Sequence, residues 1–357
     1  MKKLTFSLIS IISILLITIS FVGSATADSY NYSIIDLGTL GGNYSMAWDI
    51  NERGQIVGVS TNHAGSPQHA FIWENGTMYD LGTSATHSSE ALGINNLRQV
   101  VGYSGDMPAS TYAYIWENGT FSPILGGETW KSMAVNNDSE VVGDFWSGTG
   151  SHAFFWSQGN LTDLGTLGGR DSYANDINND GQVVGGADIA SGERHPFLWK
   201  NGTMIDLGTL GMHHGYATAI NSEGQIVGRV SDISGTTAYL FLWENGVMTI
   251  LGGGDISPWD INNPGQIVGY YFLDGVETAF TSYKGQLYDL NSFLNPNSGW
   301  YLMDATAINN RGQIVGKGII NGEEHAFLMT RVAEPATILL LALGLVGIAV
   351  NRREIQK

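Results

Sequence analysis

The sequence predicts an all-β protein, a seven-bladed β-propeller whose blades are four-stranded antiparallel sheets. A segment close to Gly-Gln-Ile-Val-Gly occurs seven times, and each copy follows an Ile-Asn or Val-Asn pair. The composition, with 48 Gly and only 14% charged residues, is typical of many short strands joined by tight turns. A period near 42 residues is that of a propeller blade. The seven asparagines are Asn51, Asn95, Asn136, Asn178, Asn221, Asn262 and Asn309.

One repeat is enough to predict four strands. Residues 47–51 and 55–58 are short apolar segments separated by a turn that ends at Gly54, which indicates a hairpin. Residues 69–73 and 78–82 flank Asn75-Gly76, and an Asn-Gly pair between two strand-like segments is a strong hairpin signal. Four antiparallel strands of this length fill about 42 residues.

The order of the segments predicts a closed ring. The first repeated segment, residues 34–38, has the pattern of an outermost strand, and the last, residues 325–329, has that of a third strand. We therefore expect the N-terminal strand to complete the last blade. An open solenoid is the alternative, and it would leave both ends unpaired. The sixth repeat is the weakest, because residues 278–282 replace the usual His-to-Trp segment, so a deformed sixth blade also stays open.

Both ends of the chain indicate export. Lys2 and Lys3 precede an apolar segment and the small-residue site Ala25-Thr26-Ala27, which predicts a signal peptide over residues 1–27, cleaved by signal peptidase. The propeller domain is then predicted to span residues 28–332. Residues 333–357 contain a second apolar segment, 336–350, which is shorter than the roughly 20 residues of a comfortable membrane span. This segment predicts a short anchor or a processing signal.

The C-terminal 25 residues resemble the PEP-CTERM sorting signal of exported bacterial proteins. The resemblance lies in Glu334-Pro335, the apolar segment after them, and the pair Arg352-Arg353. It implies that an exosortase-type membrane enzyme cleaves near Glu334-Pro335, and that the chain contacts the membrane through this segment before processing. A plain C-terminal membrane anchor is the alternative. Either outcome predicts a protein at the cell surface or outside the cell.

The repeated segments also resemble those of the HAF family of extracellular repeat proteins. The Asp-Leu-Gly-Thr-Leu-Gly pattern occurs at residues 36–42, 163–169 and 206–211, and a His-Ala-Phe pattern begins at His69, His152 and His325. The resemblance covers nearly the whole predicted mature chain. It implies export and repetition, and no established reaction.

Charge and cysteine content narrow the possible partners. The formal net charge of -17 repels phosphate backbones, so nucleic-acid binding is not predicted. The chain has no cysteine, so its core alone must stabilise it. Glycans, cations or another protein remain as partners, and no cofactor is predicted.

A candidate ligand site lies where the chain enters each innermost strand. The repeats keep their framework constant there while these residues vary in charge and aromaticity, which is typical of a polar pocket on a rigid scaffold. Ordinary solvated loop residues are the alternative. By contrast, the recurring histidines and tryptophans are predicted to have structural roles, the histidines in packing or hydrogen bonding between blades. The candidate ligand-binding residues are His87, Glu128, Trp130, Arg170, His213, His214, Asp255, Trp259, Trp300 and Tyr301.

Three classes of function remain. The favoured one is an exported surface or matrix protein that binds a glycan or a protein partner through loops on one face. A polysaccharide hydrolase or lyase would need paired carboxylates or a base beside a cation, and no catalytic residue is predicted. Weak divalent-cation binding is the third, through acidic residues of the second-to-third strand loops. These residues are Asp106, Asp188, Asp232, Asp274, Glu323 and Glu324.

Overall fold

The computed structural model describes residues 32–332, apart from residues 64, 83–87, 107–109, 125–128, 236 and 284. The predicted signal peptide and the C-terminal segment 333–357 lie outside the described residues. Within them, the chain forms seven sheets of four antiparallel strands, which confirms the predicted seven-bladed propeller.

In blades 1 to 6 the first strand along the chain is the innermost one. Blade 1 consists of β2 (Ser45–Ile50), β3 (Ile56–Thr61), β4 (Gln68–Glu74) and β5 (Thr77–Asp80). Blade 2 consists of β6 (Ser88–Ile94), β7 (Val100–Asp106), β8 (Ser110–Glu117) and β9 (Thr120–Pro123). Blade 3 consists of β10 (Thr129–Val135), β11 (Val141–Trp146), β12 (Ser151–Ser157) and β13 (Asn160–Asp163). Blade 4 consists of β14 (Gly168–Ile177), β15 (Val183–Ile189), β16 (Arg194–Lys200) and β17 (Thr203–Asp206).

The remaining blades repeat this order. Blade 5 consists of β18 (His214–Ile220), β19 (Ile226–Ser231), β20 (Ala238–Glu244) and β21 (Val247–Gly253). Blade 6 consists of β22 (Ile256–Ile261), β23 (Ile267–Leu273), β24 (Val276–Tyr283) and β25 (Gln286–Asp289), and the short 3-10 helix Leu290–Phe293 follows it. Blade 7 consists of β26 (Trp300–Ile308), β27 (Ile314–Ile320), β28 (Glu323–Arg331) and the N-terminal strand β1 (Tyr32–Asp36).

The N-terminal strand closes the ring, as the sequence predicts. Strand β1 pairs antiparallel with β28, from Tyr32 opposite Arg331 to Asp36 opposite Phe327. The backbone N–H of Leu37 extends the pairing by donating to the carbonyl of Ala326 at 3.0 Å. The open solenoid is therefore excluded.

The sixth blade is regular despite its divergent sequence. Strand β24 pairs with β23 on one side and β25 on the other. Phe280 is fully buried, as are Phe71 and Phe327 at the same position of their blades. The aromatic core residue is kept, and the hydroxyl of Ser282, where five blades have tryptophan, accepts a hydrogen bond from the N–H of Ile267 at 2.9 Å.

The core lies between adjacent blades, and it explains the last glycine of the repeated pentapeptide. A Cβ added to Gly58 would lie 2.0 Å from the carbonyl oxygen of Met46 and 2.9 Å from the ring of Phe71. The same geometry surrounds Gly228, where a Cβ would lie 2.2 Å from the carbonyl oxygen of Tyr216. A side chain at this position would force the second strand away from the first.

The seven repeat asparagines form a continuous hydrogen-bonded ring at one end of the channel. Each side-chain Nδ2 donates to the backbone carbonyl oxygen of the corresponding asparagine in the next blade, at 2.9–3.2 Å. In the first blade, Asn51 Oδ1 also accepts from the N–H groups of Arg53 and Gln55, at 2.9 and 3.0 Å. We call this end of the propeller the asparagine face. The opposite end, which carries the loops between second and third strands, is the loop face.

Candidate functional site

The innermost strands share an irregularity that shapes the central channel. In every blade the pairing between first and second strands shifts at the residue three positions before the repeat asparagine, so that this residue is bulged. All seven bulged residues line one cavity of about 430 Å³. They are Trp48, Leu92, Met133, Asn175, Thr218, Trp259 and Thr306. The bulges therefore turn one side chain of each blade toward the channel.

Three carboxylates separate this cavity from the asparagine face. Asp49, Asp176 and Asp260 each follow a bulge, and each accepts two backbone hydrogen bonds at 2.7–2.8 Å. One donor is the next residue of the same strand, and the other lies in the next blade. Burial raises the pKa of Asp49 to about 6 and that of Asp260 to about 7. Because one oxygen of each group accepts from its own blade and the other from the next, these carboxylates join blades.

The channel narrows beyond them into a smaller cavity of about 190 Å³ at the asparagine face. Its lining is mainly the ring asparagines and the residues that follow them, such as Asn96 and Asn137. Those amides are committed to neighbouring blades: Asn96 Oδ1 accepts from the N–H of Glu52 at 2.9 Å. The amide oxygens at this end of the channel therefore help to hold neighbouring blades together.

One wall of the larger cavity is aromatic. The rings of Trp48 and Trp259 meet edge to face with centroids 6.3 Å apart, and Tyr270 lies 6.2 Å from Trp259. Trp259 is 37% exposed, whereas the indole N–H of Trp48 is buried without a partner in the described part of the chain. The Trp259 indole also lies near the buried carboxylate of Asp304. This wall offers a fixed aromatic surface to a ligand.

The wall formed by blades 2 and 3 carries opposite charges nearer the loop face. Burial and the nearby carboxylate of Glu90 raise the pKa of the Tyr103 phenol, and the ammonium of Lys131 lies 5.4 Å from the centre of the same ring. Both charged residues line the cavity together with Tyr216 of blade 5. Burial raises the pKa of the neighbouring Asp144 to about 6, with Lys131 opposing the shift. A ligand in this cavity would meet apolar rings on the wall of Trp48 and Trp259 and side chains of both charges on the wall of blades 2 and 3.

Of the ten predicted ligand-binding residues, Trp259 lines this cavity. His87 and Glu128 lie outside the described residues, as does the side chain of Trp130 on β10. The side chain of Arg170 is 67% exposed, and its guanidinium lies 5.9 Å from the ring of Trp146 in the preceding blade.

The next candidates also contact the blade before their own. The imidazole of His213 lies 4.0 Å from Glu193, and His214 Nδ1 accepts from the N–H of Arg194 at 3.2 Å. Asp255 lies 3.8 Å from the guanidinium of Arg229. These residues thus join neighbouring blades near the loop face, and their binding of a ligand stays a prediction.

The two predicted aromatic residues of blade 7 differ from each other. The hydroxyls of Tyr301 and Thr278 lie 2.8 Å apart, which links blade 7 to blade 6. The ring of Trp300 packs inside its own blade, 6.2 Å from Phe327. Both lie away from the lining of the central cavity.

The recurring histidines have structural partners, but within blades. His69 Nδ1 lies 2.9 Å from a carboxylate oxygen of Asp80 on the neighbouring fourth strand. His152 and His195 make the same pair with Asp163 and Asp206. The predicted hydrogen-bonding role is therefore met within each blade, because the third and fourth strands of one blade bring the two side chains together. In blade 7 the pair joins His325 to Asp36, across the closure of the ring.

The acidic loop residues do not assemble a metal site. No group of three or more metal-ligating side chains is found among the described residues. Asp188 is paired with Arg194 at 2.9 Å, Glu324 with Lys317 at 3.0 Å, and Asp232 accepts from the hydroxyl of Ser234. These loops are therefore held by local contacts.

Sequence reasoning did not find Glu90, Lys131 or the bulged residues other than Trp259. Glu90 and Lys131 lie five positions before the repeat asparagine of their blades, and the bulged residues lie three positions before it. The residue types at both positions differ from blade to blade. The available signal was this variability inside an otherwise uniform strand. The prediction placed the variable ring three to six residues too early, because a bulge leaves no mark in the alternation of apolar residues.

Comparisons with known proteins add a sorting signal and the fold. The family model of the PEP-CTERM protein-sorting motif matches residues 332–353, which supports export with a C-terminal sorting signal. Within residues 32–332 as described, no helix is long and apolar enough to cross a membrane. No curated protein matches the chain.

Several solved structures share the propeller. A prolyl endopeptidase matches with a TM-score of 0.54 and 11% identity over 86% of this chain and 51% of its own. The acylaminoacyl peptidase of Pyrococcus horikoshii matches with 0.50 and 11% over 83% and 53%. YCF48, bound to a D1 peptide, matches with 0.50 and 11% over 85% and 97%. The chain spans about half the length of either peptidase, and at this identity the likeness shows the fold alone.

Proposed function

We propose that this exported propeller is a surface or matrix protein of the HAF repeat type that binds a glycan in its central cavity. The observation that supports the proposal best is that one cavity is lined both by the ring pair Trp48 and Trp259 and by the charged Glu90 and Lys131 of blades 2 and 3. Tryptophan rings present an apolar face to the C–H groups of a sugar, and charged side chains bond its hydroxyls. A cavity of about 430 Å³ accommodates one or two sugar rings.

Binding without turnover fits the chemistry of the cavity better than hydrolysis does. A glycosidase needs two carboxyl groups that face the scissile bond. In the described part of the channel, both oxygens of Asp49, Asp176 and Asp260 accept hydrogen bonds from backbone N–H groups, and Glu90 lies near the phenol of Tyr103. We further propose that an exosortase-type enzyme cleaves near Glu334-Pro335 during export, as the PEP-CTERM motif suggests.

The test is a titration of the purified propeller, residues 28–332, with a panel of neutral and acidic oligosaccharides and with peptides. A ligand present at 100 times its dissociation constant should stabilise the fold by about 2.7 kcal/mol, which a thermal shift detects. We expect an oligosaccharide to give this shift and Trp259→Ala to abolish it.

Trp146→Ala is the matched control. Trp146 is 46% exposed on another strand and stacks near Arg170, so its loss should leave binding in the cavity unchanged. Loss of binding in Trp146→Ala or Arg170→Ala, with Trp259→Ala unaffected, would move the site to the loop residues predicted from sequence. A shift with peptides alone would favour a protein partner.

A further inference from the structure

The chain leaves the propeller at the asparagine face. The end of β28 lies beside the start of β27, where Met329 pairs with Ile314, and Ile314 pairs with Ile308 at the end of β26. Ile308 immediately precedes Asn309 of the hydrogen-bonded ring. The third strand of blade 7 therefore delivers residue 332, where the sorting motif begins, to the asparagine face.

The tether to the motif's apolar segment is short. Five residue steps separate Arg331 from Ala336, the first residue of the apolar segment, and an extended chain spans roughly 17 Å over that length. Strand β28 has 9 residues, so its other end, at the loop face, lies about 27 Å from Arg331. The tether cannot run back along the blade far enough to bring the loop face to the membrane.

Charge on the asparagine face varies around the ring. The turn residues Arg53 and Arg311 of blades 1 and 7 are exposed close to the exit of the chain, as is Arg331, and none makes an ion pair with a described residue. Across the ring, the corresponding turns of blades 3 and 5 carry the exposed Asp138 and Glu223. Arg53, Arg311 and Arg331, none of them ion-paired with a described residue, outnumber the partly buried Glu52 of the same sector. In a chain with a net charge of -17, this excess of positive charge makes the sector complementary to anionic lipid headgroups.

We infer that the unprocessed chain sits on the membrane through the basic sector of its asparagine face, formed by blades 7 and 1, with the loop face and the mouth of the central cavity turned outward. The lipid surface is the partner of this sector, and the short tether sets the orientation. The inference rests on the sorting motif and the strand directions, and it holds whether or not the cavity binds a glycan.

The absence of cysteine in the chain allows a direct test. Ile233→Cys on the loop face and Glu223→Cys on the asparagine face both lie in blade 5, at exposed positions. Full-length chains carrying one of them are produced in a bacterium that has no exosortase-type enzyme. Membrane-bound chain in spheroplasts is then treated with a membrane-impermeant maleimide. The labelling rate of each cysteine on spheroplasts is divided by its labelling rate in the same protein purified in detergent. This ratio removes differences in intrinsic reactivity between the two cysteines.

We expect Ile233→Cys to react at least fivefold faster than Glu223→Cys on spheroplasts. A twenty-residue Gly-Ser linker after Arg331 together with Arg53→Ser and Arg311→Ser removes both constraints. In that background the two single-cysteine chains should react within about twofold of each other. Equal rates in the unlengthened chain, or no membrane-bound chain at all, would overturn the proposal. An asymmetry that survives the linker and the serine substitutions would overturn the tether and the basic sector as its cause.

Discussion

The side-chain amide of Asn309 donates a hydrogen bond to the backbone carbonyl oxygen of Asn51 at 3.2 Å and so joins the last blade to the first. The same amide donates to Gln313 Oε1 at 2.8 Å, while Asn309 Oδ1 accepts from the N–H groups of Arg311 and Gln313. All four hydrogen-bonding positions of the side chain are filled, in a residue that is 3% exposed. Asparagine is required here because no other small side chain offers two donors and an acceptor in one plane.

Replacing Asn309 with alanine should destabilise the propeller by about 1–3 kcal/mol, because it leaves buried backbone groups of two blades without partners. Urea unfolding of residues 28–332 measures the loss. Asn160→Ala, at an exposed position with one long hydrogen bond of 3.5 Å, is the control and should change the free energy of unfolding by less than about 0.5 kcal/mol. Equal effects of the two substitutions would show that the ring does not hold the blades together.

Deletion of residues 28–39 should lower the melting temperature sharply. It removes β1 from the edge of blade 7, exposes the unpaired edge of β28, and takes the buried Leu37 out of the core between blades 7 and 1. Hydrogen exchange followed by mass spectrometry should show new exchange in residues 323–331 before any other strand opens.

A point substitution distinguishes the contribution of β1 backbone pairing from that of its side-chain contact to His325. Asp36→Asn weakens the contact to His325 at 3.0 Å but keeps the backbone pairing of β1. It should therefore cost less than about 1 kcal/mol, since the pair is partly exposed. A deletion that melts as the intact domain does would mean that β1 contributes nothing to closure.

The fold could be predicted from sequence because the constraints repeat. The repeat asparagines, the glycine that Phe71 covers and the alternating apolar residues recur in register, so a single blade predicts the others. The divergent sixth repeat kept its Phe280 and hence its blade. The cavity was harder to predict, because its lining depends on bulges at residues such as Trp259. A bulge is set by the pairing between strands and not by the sequence of one strand.

The pH dependence of stability should reveal the buried Asp304. Burial raises its pKa from 3.8 to about 7, and Glu277 adds to the shift. The folded state then binds this proton more tightly than the unfolded state, so the contribution to stability grows as the pH falls from about 7 toward 4. Asp304→Asn, which resembles the protonated acid, should stabilise the domain by about 2 kcal/mol at pH 8 and change little at pH 4.

Guanidinium unfolding between pH 4 and pH 8 compares Asp304→Asn with the unsubstituted domain. The difference between the two free energies of unfolding should fall steadily as the pH is lowered through 7. Asp138→Asn, at an exposed turn position, should follow the unsubstituted domain at every pH. A constant difference for Asp304→Asn across the range would contradict the raised pKa.

Arg98 occupies a backbone conformation that five of the seven blades give to glycine. Its φ is +67°, close to the +78° of Gly54 and the +71° of Gly312. The guanidinium compensates by binding Glu74 of blade 1 at 2.8 and 3.2 Å, and by lying 5.1 Å from the ring centre of Trp116. The hydrogen bond from Arg98 also lowers the pKa of Glu74. At Arg98 the backbone strain therefore lowers the stability of the fold, and the ion pair with Glu74 raises it.

Two substitutions separate the two effects. Arg98→Ala loses the ion pair and keeps the strain, so it should destabilise the domain by about 2 kcal/mol, whereas Arg98→Gly relieves the strain and should recover about 1 kcal/mol of that loss. Gly312→Ala introduces the same strain without any ion pair and should cost about 1 kcal/mol. Urea unfolding of the three variants gives each difference, and NMR titration should show the Glu74 pKa rising equally in both Arg98 variants. Equal stability of Arg98→Ala and Arg98→Gly would mean that the left-handed conformation carries no strain at this turn, and the preference for glycine in the other blades would need another cause.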